Sequence, residues 1–109
     1  MLDSGLQSQE RIEVLFAKRV VRTLIRIDEV EMVLLVSLSN LDRSLSGVRF
    51  VDLASESRVQ DVNIVRSGLA VLSGEGLVAL EGGKEEKVRL SDYGQIVLRE
   101  FKQIGRRGR

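Results

Sequence analysis

The sequence predicts a mainly α-helical domain with one small β-hairpin and an additional helix at its N-terminal end. Three observations carry this. Apolar residues recur at helical spacing in successive segments. A glycine-containing turn, Gly82-Gly83-Lys84-Glu85-Glu86, separates two short strand-like runs. With 109 residues and 43% hydrophobic content, the chain is the size of one domain rather than two.

Taken in order, residues 1–8 carry no periodic signal and are expected to be disordered. From Gln9 to Ile27 the pattern is helical. Ile12, Phe16, Ile27, Val20, Leu24, Ala17, Val21, Val14 and Ile25 fall in one arc of roughly 220° at 100° per residue. A helix packed on one neighbour needs a stripe of only ~100°, so this helix is expected to be shared with a second subunit. Its opposite face carries Arg11, Lys18, Arg19, Arg22 and Arg26. Lys18 and Arg22 have no carboxylate three or four residues away, which leaves a solvated face and a phosphate-contacting stripe as the two readings.

Asp28-Glu29 opens a second helix over Glu31 to Ser39, its acidic first turn matched to the helix dipole. Asn40 to Gly47 reads as a loop. A short helix follows over Val48 to Glu56, with Phe50, Val51, Leu53 and Ala54 expected toward the core. The next helix starts between Ser57, which offers a Ser-x-x-Gln capping box with Gln60, and Asp61, also a good cap; it ends at Ser73 before Gly74 and Gly76. Strands are expected at Leu77–Glu81 and Lys87–Leu90. Ser91 caps a final helix over Asp92 to Ile104, with Tyr93, Val97, Phe101 and Ile104 on one face. Residues 105–109 form a basic tail that is expected to be flexible.

Composition removes whole classes of chemistry. Without cysteine or histidine there are no disulfides, no Cys-His or Ser-His nucleophiles and few transition-metal ligand sets. The remaining carboxylate clusters, Asp28-Glu29-Glu31 and Glu85-Glu86, read as solvated charges, so no enzyme, no metal and no cofactor is expected. Neither a secretory leader nor an apolar run of ~18 residues is apparent. The expected location is cytoplasmic, without a membrane partner.

Three segments carry a family resemblance: Phe50-Val51-Asp52-Leu53-Ala54, Leu69-Ala70-Val71-Leu72-Ser73-Gly74-Glu75-Gly76-Leu77-Val78, and Val88-Arg89-Leu90-Ser91-Asp92-Tyr93-Gly94. In this order and at these distances, the stretch from Val30 to Ile104 resembles the winged helix-turn-helix regulators of the MarR and ArsR types. The resemblance implies a winged helix-turn-helix domain over residues 9–104, with residues 9–27 as an extra, dimerising N-terminal helix. It also implies a recognition helix ending at Ser73, and a wing at residues 82–86 that lies along the phosphate backbone or in the minor groove.

On the helix wheel Val62, Val65, Leu69 and Leu72 are expected to face the core. Gln60, Asn63, Arg66, Ser67 and Ala70 take the opposite arc, where amide, hydroxyl and guanidinium groups can read base edges. The candidate DNA contacts are Arg58, Gln60, Asn63, Arg66, Ser67, Lys84, Lys87 and Arg89. Those of the homodimer interface are Ile12, Phe16, Val20, Leu24 and Phe101. An exposed helix face is polar in most proteins, and a mixed-charge hairpin is as often a solvated turn, so the bland readings stand beside these. No small-molecule effector is specified by the residues.

The charge distribution opposes part of this. Residues 11–26 carry net +4 and residues 87–109 net +5, whereas residues 28–86 carry net −6, with five basic and eleven acidic side chains. A nucleic-acid binder needs cations against phosphates. Two functions are therefore expected from the sequence: a dimeric, sequence-specific regulator bound to double-stranded DNA, or a winged-helix protein-interaction module in a larger transcription or chromosome-handling assembly.

Overall fold

The computed structural model describes residues 8–42 and 46–107; of the segments expected to be disordered (1–8) and flexible (105–109), residues 1–7 and 108–109 lie outside them, whereas Ser8 begins a helix and residues 105–107 end one. The order is α1 (Ser8–Arg26), α2 (Glu29–Leu41), β1 (Val48–Arg49), α3 (Phe50–Ser57), α4 (Val62–Gly74), β2 (Val78–Glu81), β3 (Lys87–Leu90) and α5 (Asp92–Arg107). Among the described residues, five helices thus accompany a small antiparallel sheet of order β1-β3-β2. The hairpin stands as expected, with Val78 opposite Leu90 and Glu81 opposite Lys87. The third strand was not: Val48 and Arg49, read as a helix start, pair with Val88 and Lys87 instead.

The centre of the domain is α2. Its N-terminus is closed by a capping box, in which Asp28 accepts from the Glu31 amide at 2.9 Å and Glu31 accepts from the Asp28 amide at 3.2 Å. This corrects the reading of Glu31 as a solvated charge: the side chain is buried against α4. Burial pushes its carboxyl up, while the hydrogen bond from the Glu31 amide lowers Asp28. Leu34, Leu35 and Leu38 on α2 are fully buried with Leu53, Val65, Leu72, Leu77 and Val97.

Two apolar assignments are corrected. Val51 and Val62 are 62% and 49% exposed. Each sits in the first turn of its helix, where the wheel position points past the end of the core rather than into it. The longer helix begins after Asp61, whose side chain accepts from the Asn63 amide at 2.8 Å. Ser57 is buried and turns its hydroxyl to the Ala54 carbonyl at 3.0 Å, so it closes α3 instead of opening α4.

The second and third sequence segments meet in space. The Leu77 amide donates to the Leu72 carbonyl at 2.9 Å, ending α4. The Leu77 carbonyl accepts from the Ser91 amide at 3.0 Å, and the Ser91 hydroxyl donates to the Gly76 carbonyl at 2.6 Å while accepting from the Gly94 amide. That closeness dictates Gly94: a Cβ there would collide with the Leu77 carbonyl and lie 2.9 Å from Leu90 Cδ1. A Cβ added at Gly68 would come within 2.6 Å of Leu34 Cδ1, where only a side chain needs to give. Gly94→Ala should therefore cost about 3 kcal/mol, the upper end of overpacking penalties, and Gly68→Ala distinctly less. Chemical denaturation midpoints compare the two; equal losses would contradict the packing described.

Candidate nucleic-acid interface

Three leucine or valine positions and a glycine set how α4 sits. Val65, Gly68, Leu69 and Leu72 turn inward, and Asn63, Arg66, Ser67 and Ala70 are exposed on the outer side. The outer face is small and polar, with an amide and a hydroxyl one turn apart. Gln60 is exposed just before the helix. Arg58 is exposed between α3 and α4 in the left-handed conformation, at φ 59°, which a side chain adopts at a cost of about 1 kcal/mol or more.

The hairpin brings the other candidates alongside. Lys84 is exposed at the tip and Arg89 on the outer side of β3. Lys87 is only half exposed, because it pairs across the ladder with both Arg49 and Glu81 and packs on Gly47.

Arg66 is not an isolated cation. Its Nη1 and Nη2 donate to Glu86 Oε2 and Oε1 at 2.8 and 3.2 Å, and its guanidinium lies 4.4 Å from the centre of the Phe50 ring. Glu86 in turn accepts from the Phe50 amide through its backbone carbonyl at 2.8 Å. Beside this, Arg49 forks onto Asp52 at 2.9 and 3.2 Å and approaches Glu85 at 3.9 Å. Nothing in the local sequence signals the Arg66–Glu86 pair, since the two are twenty positions apart, whereas Arg49 and Asp52 are only three apart. Asp42 was missed in the same way: buried at the end of α2, it accepts from the Gly47 and Leu90 amides at 3.0 and 3.4 Å, fixing the root of the sheet.

The cationic face of α1 divides. Arg19 lies 4.1 Å over the Tyr93 ring, and Arg26 approaches Glu75 at 3.7 Å. Lys18 and Arg22 are exposed and form no ion pair among the described residues. On the other side of α1, Val20 is buried and Leu24 is half-buried, but Ile12 is 65% exposed and Ile25 is 77% exposed. Phe16 meets Tyr93 edge-on at 5.9 Å, and Tyr93 shares a 2.8 Å hydrogen bond with Thr23. An apolar groove of about 500 Å³ runs between α1 and α5, lined by Ile12, Phe16, Val20, Leu24, Ile96 and Ile104. Phe101 lies outside it, at the edge of a second groove beside α2.

No family model and no curated protein matches the chain. Solved structures match it in fold. BpsR of Bordetella bronchiseptica, described by the regulation of its DNA binding by 6-hydroxynicotinic acid, is 18% identical at a TM-score of 0.63 over 93% of this chain and 75% of its own. A MarR-family transcriptional regulator of Silicibacter pomeroyi is 21% identical at 0.60 over 84% and 62%. MepR, a transcription regulator of the Staphylococcus aureus multidrug efflux pump MepA, is 13% identical at 0.64 over 91% and 76%. The fold is that of the MarR-type winged helices. Accordingly, α3 and α4 occupy the place of the helix-turn-helix and residues 82–86 that of the wing. No group of side chains suited to a metal ion, and no helix long and apolar enough to cross a membrane, occurs among the described residues.

The Arg66 hydrogen bonds hold Glu86 below the usual carboxylate range, and the pairing raises Arg66. Because the Glu86 value is depressed on folding, its contribution is complete above the ordinary carboxylate value and is lost as pH falls through the folded one. The pairing should persist at neutral and mildly acidic pH and break only below the ordinary range. NMR titration of the Glu86 carboxyl and Arg66 guanidinium signals measures this; separation of the pair above pH 5 would contradict it.

Proposed function

We propose that this chain is a sequence-specific DNA-binding protein, a dimeric transcriptional regulator that reads the major groove with α4 and touches the backbone with its wing. The observation that carries the reading is the exposed, polar, small-residue face of α4, with Asn63, Ser67 and Ala70 outermost and Gln60 and Arg58 at its start. Such a face fits a groove about 12 Å wide, and amide and hydroxyl groups suit base edges there. The fold is shared with a protein described by its DNA binding and with two described as transcription regulators.

A second copy of the chain is the occupant that best accounts for α1. Apart from Val20, the side chains from residue 11 to residue 22 are exposed, apolar ones among them. Such a face left in water would be a continuous apolar patch of the kind that marks an interface. Two-fold pairing would set two α4 helices at successive major-groove half-sites, about 34 Å apart.

One observation favours the other reading, a protein-interaction module. Arg66, a cation of the expected DNA face, and Arg49 beside it are ion-paired with carboxylates, and Val51 and Val62 present apolar side chains nearby.

Titration against a fluorescent random-sequence duplex at two salt concentrations, with mass by light scattering, separates the two. A dimer whose affinity falls steeply with salt supports DNA binding; no binding at low salt favours the protein module. Ile12→Glu combined with Ile104→Glu, both exposed on the groove, should give a folded monomer and weaken DNA binding about 100-fold through lost bivalency. Arg58→Gly should leave the fold at least as stable, since φ is positive there, while lowering affinity and salt dependence.

A further inference from the structure

We propose that Arg66 and Glu86 form a strap that sets the wing's position on α4, with Arg66 acting as a positioning residue and base reading left to Gln60, Asn63 and Ser67. The strap's consequence for DNA rests on the function proposed above; its existence does not.

The geometry decides between reading and positioning. A guanidinium that recognises guanine presents two N–H groups to two acceptors. Here both terminal nitrogens of Arg66 are already turned to the two oxygens of Glu86, at 2.8 and 3.2 Å. The plane of the group is held from its face by the Phe50 ring at 4.4 Å. Phe50 is itself buried and donates its amide to the Glu86 carbonyl at 2.8 Å. Three elements therefore close a ring: α4 through Arg66, the wing root through Glu86, and the start of α3 through Phe50.

Each contact restrains a different degree of freedom. The backbone hydrogen bond fixes the height of the wing root over α3, the forked ion pair fixes its distance from α4, and the stacked ring fixes the plane of the fork. Arg49 adds a looser tie to Glu85, at 3.9 Å. The residues beyond this root, Gly82 and Gly83, have open space around them, and Gly83 has φ 121°. Such a tip has little rigidity of its own. Its position relative to α4 must come from residues 85–87 and the ladder below them. An exposed ion pair contributes little to overall stability, but a planar fork with a stacked face is specific in direction.

The test compares Arg66→Glu, Glu86→Arg and the double variant, in which the charges are exchanged. Two quantities are measured: backbone order parameters of residues 82–87 with exchange of the Phe50 amide in the free protein, and affinity for a selected duplex. Each single variant should lower the wing order parameters from a rigid value of about 0.85 toward 0.6, speed Phe50 exchange, and weaken DNA binding at least 10-fold. The double variant should recover order in the wing and come within about 3-fold of the original affinity. Arg66→Lys, which keeps the charge but not the fork, should behave like the other single variants. Unchanged wing dynamics in the single variants would overturn the strap. Recovery of order without recovery of affinity would overturn the positioning role and make Arg66 a direct DNA contact. If the original chain binds no duplex, the free-protein measurements still decide the strap, and the failure belongs to the proposed function alone.

Discussion

Leu34, Leu35 and Leu38 have no access to solvent, and α3, α4, α5 and β3 all pack on the helix that carries them. The three leucines span roughly 100° of the helix, and with Glu31 and Ser37 also buried and Val30, Met32, Val36 and Ser39 half-buried, α2 requires neighbours on most of its sides. That requirement places the other elements. It brings α4 close enough that Gly68 is needed opposite Leu34, and it leaves the Asn63–Ser67–Ala70 side of α4 as the face turned away. The polar surface offered to a partner is thus a consequence of how tightly the opposite side is held.

The two ends of the molecule leave different chemistry unsatisfied. Around the wing, charges are mostly matched within the domain: Arg66 with Glu86, Arg49 with Asp52 and Glu85. Along α1 exposed apolar side chains stand beside Lys18 and Arg22, which form no ion pair among the described residues. The chain has a radius of gyration of 16.1 Å, against about 13 Å for a compact domain of this length, and a longest extent of 58 Å. An extended shape with an apolar arm is costly for a protomer in water and natural for one half of a dimer.

Local periodicity made most elements legible, because a helix face or a glycine turn is written within a few residues. The glycines that marked the family segments also proved interpretable: Gly94 is required by the carbonyl of Leu77, and Gly76 takes a left-handed backbone at φ 79°. What escaped was of two kinds. Val51 and Val62 lie at helix starts, where periodicity indicates a direction but not whether the core extends that far. Glu31, Asp42, Arg49, Arg66 and Glu86 owe their roles to partners. For Glu31 the partner was three residues away and could have been read from the Asp-x-x-Glu spacing at 28–31; for Asp42 and Leu90 the separation is 48 residues, and no local pattern records it. The acidic balance of residues 28–86 likewise looks different once Glu31 and Asp42 are seen to cap and brace backbone amides, and Asp52 and Glu86 to pair with arginines.

In the proposed function α4, rather than the cationic side of α1, is the surface that meets DNA. Amide chemical-shift mapping with a selected duplex tests this directly. The largest perturbations are expected at Gln60, Asn63, Ser67 and Ala70, with smaller ones at Lys84 and Arg89. Perturbations confined to Lys18, Arg22 and the C-terminal arginines, with α4 silent, would contradict it.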